Sequence, residues 1–161
     1  MYGLTEAGPN NFVIHPEVAA KKRGSVGKAM QFNQIKILDS EGKECEVDEI
    51  GELFISGNHV FTEYWKNQEE TAKVKKNGWL RTGDLAKQDR DGDIYIIGRI
   101  KEMIITGGEN VYPQEVEQCI ITHPKVLEVA VVGTPDLHWG EVVTAFIVGK
   151  NNFNNIEEIQ E

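Results

Sequence analysis

The chain has 161 residues, 40% apolar and 27% charged, which suits a folded globular protein and excludes a disordered tail. A net charge of −9 with scattered basic residues argues against nucleic acid as a partner, since phosphate contacts need a basic face. Cys45 and Cys119 lie far apart without metal spacing and read as reduced thiols, one of them packed; the four histidines form no ligand pattern. There is no apolar run near the ~20 residues that span a bilayer, and no signal peptide opens the chain, so a soluble, cytoplasmic protein is expected.

In chain order, "YGLTEAGP" opens as a polar, glycine-bearing loop, and "KKR" at Lys21–Arg23 reads as a solvated loop. "QFNQIKILD" alternates apolar and polar residues, "SEGK" turns, and "CEVDEIGELFISG" returns as a second strand. Asn67 to Gly78, "NQEETAKVKKNG", reads as a short helix with a polar entry, late lysines and a glycine stop. "DLAKQDRDGDIYIIG" reads as a hairpin turning at Asp91-Gly92. Its alternating Asp89, Asp91 and Asp93 mimic the start of a calcium loop, but Ile94 and Ile100 stand where that loop needs glycine and glutamate.

The second half changes character. "EMIIT" reads as a strand that breaks at Gly107-Gly108 and enters a helix through Pro113, where a missing N–H costs nothing. A simple strand-to-helix connection needs only one glycine, so the second asks for a reason. Val116, Cys119, Ile120 and His123 keep the spacing of one buried helical face, which Pro124 ends. "VLEVAVVG" and "VVTAFIVG" follow as strands separated by "TPDLHWGE", and a final helix begins near Asn155.

Chemistry-bearing residues are dispersed. Thr5 and Glu6 place a hydroxyl and a carboxylate beside the Tyr2 ring: one can donate to phosphate, one can hold Mg²⁺, and the ring can lie against a base. Asp84 in "GWLRTGDLA" has the character of a carboxylate that accepts from a ribose diol, and Arg99 that of a phosphate or ribose clamp. Gly107-Gly108 can offer backbone N–H groups to an anion, a weak signal without a neighbouring lysine. The plain alternatives are an ordinary loop for Thr5 and Glu6, a surface aspartate for Asp84, a surface ion pair for Arg99 and a simple strand-to-helix connection for Gly107-Gly108.

Together, "YGLTEAG", "GELFISG", "GWLRTGDLA", "DGDIYIIGRIKEMIITGGENVYPQEVE" and "VAVVGTPDLHWGE" resemble, in order and up to about Gly149, the adenylate-forming (AMP-binding) superfamily, nearest its acyl-CoA ligases. The resemblance implies an α+β fold. Residues 1–100 would form the β-rich tail of a large N-terminal adenylation domain, and 101–161 an incomplete small domain, with a hinge near 99–101. It implies ATP, Mg²⁺ and coenzyme A as substrates and cofactor, and activation of a carboxylic acid, a fatty acid first, to an acyl-adenylate and then a thioester.

By the same resemblance, Tyr2 and Gly3 border adenine, Thr5 meets phosphate, Glu6 holds Mg²⁺, and Ala7 and Gly8 lie near the acyl carboxylate. Asp84 takes the ribose with Arg99 assisting, and Lys101 marks the hinge. Gly107, Gly108 and Glu109 form a loop that lines the thiol path. The phosphate loop and the late catalytic lysine of such enzymes have no counterpart here. The chain alone is therefore expected to be inactive and to need the missing N-terminal region. An amino-acid-activating domain that loads a carrier, an aromatic-acid or succinylbenzoate-type ligase, and a non-catalytic nucleotide- or partner-binding remnant are the other readings.

Overall fold

Apolar–polar alternation sets the strands of the first half. The computed structural model describes residues 2–150, which divide into two units between Ile100 and Lys101. Strands β1 (Phe12–Val13), β2 (Ser25–Ala29), β3 (Gln34–Leu38), β4 (Gly51–Ser56), β5 (Lys75–Lys76), β6 (Trp79–Gln88) and β7 (Ile94–Arg99) form one antiparallel sheet. Its order is β1-β2-β7-β6-β4-β3, with β5 also on β6. The helices α1 (Pro16–Lys21) and α2 (Gln68–Val74) are short. Inward residues Ile37, Leu53, Ile55, Leu80, Ala86 and Ile94 make the core with Ala7 and Phe12. Each fully buried leucine or isoleucine contributes at most roughly 1.5–3 kcal/mol by leaving water.

The expected hairpins are present as β3–β4 and β6–β7, although β4 starts at Gly51 and not at Cys45. The helix expected over Asn67–Gly78 is shorter. The Asn67 side chain caps it by accepting from the Glu70 N–H, but Lys75 and Lys76 leave it to pair with Leu80 and Trp79 as a strand. The late lysines thus carry a tertiary pairing that helical propensity did not reveal.

Of the "KKR" segment, Lys21 and Arg23 are exposed as expected, but Lys22 departs from its reading as solvated. Lys22 Nζ lies 2.6, 2.7 and 2.8 Å from carboxylate oxygens of Asp89, Asp91 and Asp93, and its side chain is only 20% exposed. The hairpin turn itself is tied by Asp89 Oδ1, which accepts from the N–H groups of Asp91 and Asp93. Sequence alternation therefore gathers three carboxylates, and an ammonium distant in sequence occupies their centre.

A 3-10 turn (Ile100–Glu102) straddles the boundary, and the second unit continues with β8 (Ile104–Thr106), β9 (Glu109–Val111), α3 (Pro113–Ile120), β10 (Val126–Asp136) and β11 (Gly140–Gly149). The sheet order is β10-β11-β8-β9, all antiparallel. Gly107-Gly108 is not a strand-to-helix loop: it turns the β8–β9 hairpin, pairing Thr106 with Glu109. Both glycines have positive φ, +58° and +89°, as a two-residue type I′ turn requires at both central positions. The β10–β11 strands run further into "TPDLHWGE" than expected, because Asp136 Oδ1 accepts from the His138 and Trp139 N–H groups and closes a tight turn.

The helical face expected to be buried is only half covered. Val116 and Ile120 are half-buried, Cys119 is exposed, and His123 lies beyond the helix end. An eight-residue helix packed on one edge strand offers too narrow a cover. Glu117 nevertheless reaches the free edge of β10, where its Oε1 accepts from the Val131 N–H at 2.8 Å. Cys45 packs against the first unit's core. Among the described residues no helix is long and apolar enough to cross a membrane. The helix expected near Asn155 lies outside the described residues.

Candidate functional site

The opening loop is a constrained turn. Leu4 and Gly8 bridge, with the Leu4 N–H donating to the Gly8 carbonyl at 3.2 Å and the Ala7 N–H to Leu4 at 3.1 Å. Gly3 is required by close approach: a Cβ there would stand 2.5 Å from the Pro9 carbonyl oxygen. Fully buried Asn11 fixes both ends of the turn. Its Nδ2 donates to Gly8 O at 3.0 Å and its backbone N–H to Tyr2 O at 3.2 Å, while its Oδ1 meets His59 Nε2 at 3.0 Å. The turn presents Thr5 outward, with no hydrogen-bond partner for its hydroxyl among the described residues, and turns Ala7 into the core.

Glu6 is held twice by the loop after β4. Its carbonyl accepts from the Phe61 N–H at 2.7 Å, and its Oε1 accepts from the Tyr64 hydroxyl at 2.5 Å. That bond to the carboxylate, followed by burial, pushes the Tyr64 phenol up to about 12, so it remains a donor at neutral pH.

Asp84 owes its position to strand parity. Along β6 the residues Leu80, Thr82, Asp84 and Ala86 point inward, so the carboxylate shares the core's face and is 4% exposed. Between the Glu52 and Phe54 pairings of β4, the segment from Arg81 to Leu85 leaves the ladder as a bulge, with Gly83 at φ +72°. Thr82 satisfies the interrupted backbone: its Oγ1 donates to Leu53 O at 2.7 Å and accepts from the Asp84 N–H at 3.1 Å.

Two further groups converge on this carboxylate. Tyr2 donates from its hydroxyl to Asp84 Oδ2 at 2.5 Å, and Arg99 Nε lies 2.9 Å from Oδ1 across the β6–β7 pair. Burial first, then the bond to Asp84, holds the Tyr2 phenol far above its ordinary value, so it too stays protonated. The Arg99 side chain is 45% exposed while that of Asp84 is 5% exposed, so the guanidinium forms the open side of a fixed anion. The cluster joins an aromatic ring, a buried acceptor and a cation, which together suit a polar ligand bearing hydroxyl donors.

The other sequence-derived candidates belong to the second unit. Lys101, in the 3-10 turn, is 74% exposed and 3.9 Å from Glu102. Glu109 is exposed opposite Thr106. The Gly107 N–H donates to Trp139 O at 3.0 Å, and a Cβ at Gly107 would stand 2.7 Å from the Trp139 ring; Gly108 faces open space. The structure thus joins Tyr2, Asp84 and Arg99 in one cluster and pairs Glu6 with Tyr64. Lys101 and the 107–109 turn occupy a separately folded unit.

Sequence reasoning missed Asn11, Tyr64, Thr82 and Trp139. Only Thr82 carried a readable signal, its inward parity two residues before Asp84.

Comparison with known proteins agrees with the motif order. The family model described as AMP-binding enzyme matches residues 1–65, and that of the AMP-binding enzyme C-terminal domain matches residues 115–161. The chain belongs to the AMP-binding enzymes of the adenylate-forming superfamily. It is 46% identical to a medium/long-chain-fatty-acid–CoA ligase of Mycobacterium tuberculosis over 82% of this chain and 23% of the relative. It is 42% identical to indoleacetate–CoA ligase of Aromatoleum aromaticum over 92% of this chain and 29% of that one. Among solved structures, the O-succinylbenzoate coenzyme A synthetase of Bacillus subtilis in complex with ATP and magnesium ion matches with a TM-score of 0.89. The identity there is 36%, over 99% of this chain and 33% of that structure. The strand-rich α+β architecture is that of the matching part of these enzymes. The chain spans a third or less of the length of these relatives.

Proposed function

We propose that the chain is part of an acid–CoA ligase that activates a carboxylic acid with ATP and transfers the acyl group to coenzyme A. In this reading residues 1–100 end the large nucleotide-binding domain and 101–161 begin the small domain, with the hinge at 99–101. The observation that carries it is Asp84, a buried carboxylate presented at a strand bulge between the Tyr2 hydroxyl and the Arg99 guanidinium. A ribose diol donates to that carboxylate, with Arg99 holding its charge in place and the Tyr2 ring beside the base. Thr5 offers its unengaged hydroxyl to a phosphate oxygen. Gly3 borders the adenine, and Ala7 and Gly8 border the acyl carboxylate through their backbone.

Glu6 suits Mg²⁺: one carboxylate oxygen is tied to Tyr64, and Oε2 has no protein partner among the described residues. That fits an ion which takes one or two carboxylates together with phosphates and water. When bound, it neutralises charge on the phosphates.

The acid's carboxylate attacks the α-phosphorus and expels pyrophosphate, giving the acyl-adenylate; the thiol of coenzyme A then attacks the acyl carbon and expels AMP. Gly107, Gly108 and Glu109 serve the second step by lining the thiol's path. The acid we propose is a fatty acid, supported by the mycobacterial relative; an aromatic acid is the second reading, supported by the indoleacetate relative at comparable identity.

The test is acid-dependent ATP–pyrophosphate exchange and thioester formation by the intact ligase, with long-chain and aromatic acids in parallel. Asp84→Ala is expected to raise the KM for ATP about 10- to 100-fold, the worth of hydrogen bonds to a charged group. An unchanged KM would remove the nucleotide assignment. The 161-residue chain alone is expected to show no exchange.

A further inference from the structure

Glu6 is gripped more firmly than a turn residue needs to be. The Phe61 N–H fixes its carbonyl at 2.7 Å and the Tyr64 hydroxyl fixes one carboxylate oxygen at 2.5 Å, so backbone and side chain are both held by the short loop stretch from Phe61 to Tyr64. That stretch is itself anchored. The Tyr64 N–H donates to Thr71 Oγ1 at 2.9 Å, and Thr71 Oγ1 donates to Asn67 O at 2.8 Å, tying the loop to the first turn of α2. The Tyr64 ring packs on Phe61 with centroids 4.8 Å apart, and Lys75 reaches the Phe61 ring and carbonyl from β5.

We propose that Tyr64 is a positioning residue for the divalent-cation step: its hydroxyl holds Glu6 Oε1 so that Oε2 is left aimed and free to ligate the cation. The proposal rests on the reading that Glu6 carries Mg²⁺. Physically, a glutamate side chain alone samples several rotamers, and a partner on one oxygen orients the other. Without Tyr64 the carboxylate must be ordered at the moment the cation binds, and the affinity falls accordingly. The anchoring from α2 explains why a loop residue can do this: the hydroxyl is fixed by elements that do not themselves touch the cation.

The experiment is calorimetric ATP binding to the intact ligase, with and without Mg²⁺, and Mn²⁺ binding followed by electron paramagnetic resonance in the presence of ATP. The variants are Tyr64→Phe, Glu6→Gln and the double substitution. Tyr64→Phe keeps the ring on Phe61, so folding is retained, and thermal unfolding checks this. The expected result is unchanged affinity for ATP without Mg²⁺ and about tenfold weaker cation-dependent binding, the usual scale for losing a partner of a metal ligand. In the Glu6→Gln background, Tyr64→Phe should add nothing, because the two act as one unit. If Glu6→Gln loses the cation-dependent part while Tyr64→Phe keeps it, Tyr64 has no positioning role and the Glu6 assignment stands. Equal weakening of ATP with and without Mg²⁺ also overturns the proposal, since it marks a merely structural role. If neither variant alters cation dependence, the Glu6 assignment falls as well.

Discussion

The two units position their candidate residues by different physics. In the first, fully buried Leu53, Ile55, Leu80 and Ile94 back a web of side-chain hydrogen bonds through Asn11, Tyr2, Thr82, Asp84 and Tyr64. In the second, the buried hydrophobic residues are only Ile104, Val126 and Val131 among those described, while Leu127, Val132, Trp139, Val143 and Phe146 remain exposed. There the functional candidate is a two-glycine turn whose shape is set by backbone conformation and by one tryptophan ring. A ligand-reading carboxylate needs a rigid, desolvated mount; a turn that presents backbone needs only the correct φ values and one steric neighbour.

The contrast breaks most visibly under core deletion. Leu53→Ala is expected to cost about 2–5 kcal/mol in denaturant unfolding, whereas Val132→Ala on the exposed face of β10 should stay within about 0.5 kcal/mol. Comparable costs would mean that the second unit's exposed side chains are covered in solution.

A smaller effect sharpens the comparison within the second unit. Gly108→Ala keeps a left-handed backbone and is expected to cost about 1–2 kcal/mol, with Gly108→Asn milder. Gly107→Ala should cost more, because its Cβ also meets the Trp139 ring at 2.7 Å, and Trp139→Ala should relieve that excess. Hydrogen exchange of the β8–β9 amides reads all of these. If Gly107→Ala and Gly108→Ala cost the same, the ring is not what shapes the turn.

The smallest expected effect is pH-dependent, because part of the Lys22 cluster faces solvent. Asp89 is burdened by burial, but Lys22 and the backbone N–H groups of Asp93 and Asp91 hold its carboxyl below the usual range. The Lys22 ammonium is held above its usual range by Asp89, Asp91 and Asp93. A lowered carboxyl stabilises above its unfolded pKa of about 3.9 and loses this as pH falls through its folded value. A raised ammonium stabilises below its unfolded pKa of about 10.4 and loses this as pH rises through its folded value. The gap in unfolding midpoint between the parent chain and Lys22→Met should therefore be widest and flat from about pH 5 to pH 9 and shrink in acid. A gap that grows below about pH 4 contradicts the ion-pair account.

Much of the first unit was legible because strands with one inward face announce themselves. Alternation in "QIKIL" and "GELFIS" marked β3 and β4, and Asp91-Gly92 marked the turn between β6 and β7. What failed were assignments that depended on a distant partner. Lys75 and Lys76 had good local reasons to be helical, yet β6 recruited them. Cys119 had the spacing of a buried position, but nothing broad enough covers that face of α3.

By itself, the sequence determined the strand pattern, the turn residues and, through motif order, the family and the candidate residues Tyr2, Glu6, Asp84, Arg99 and Gly107-Gly108. Only the tertiary structure decided that Tyr2 and Arg99 meet on Asp84, that Tyr64 holds Glu6, that Lys22 fills the aspartate turn, and that the two glycines turn a hairpin against Trp139. The reason is range. Turn chemistry and periodicity act over a few residues and are written locally, whereas these contacts join positions 15 to 82 residues apart and depend on which strand or loop becomes a neighbour, and no local pattern encodes that.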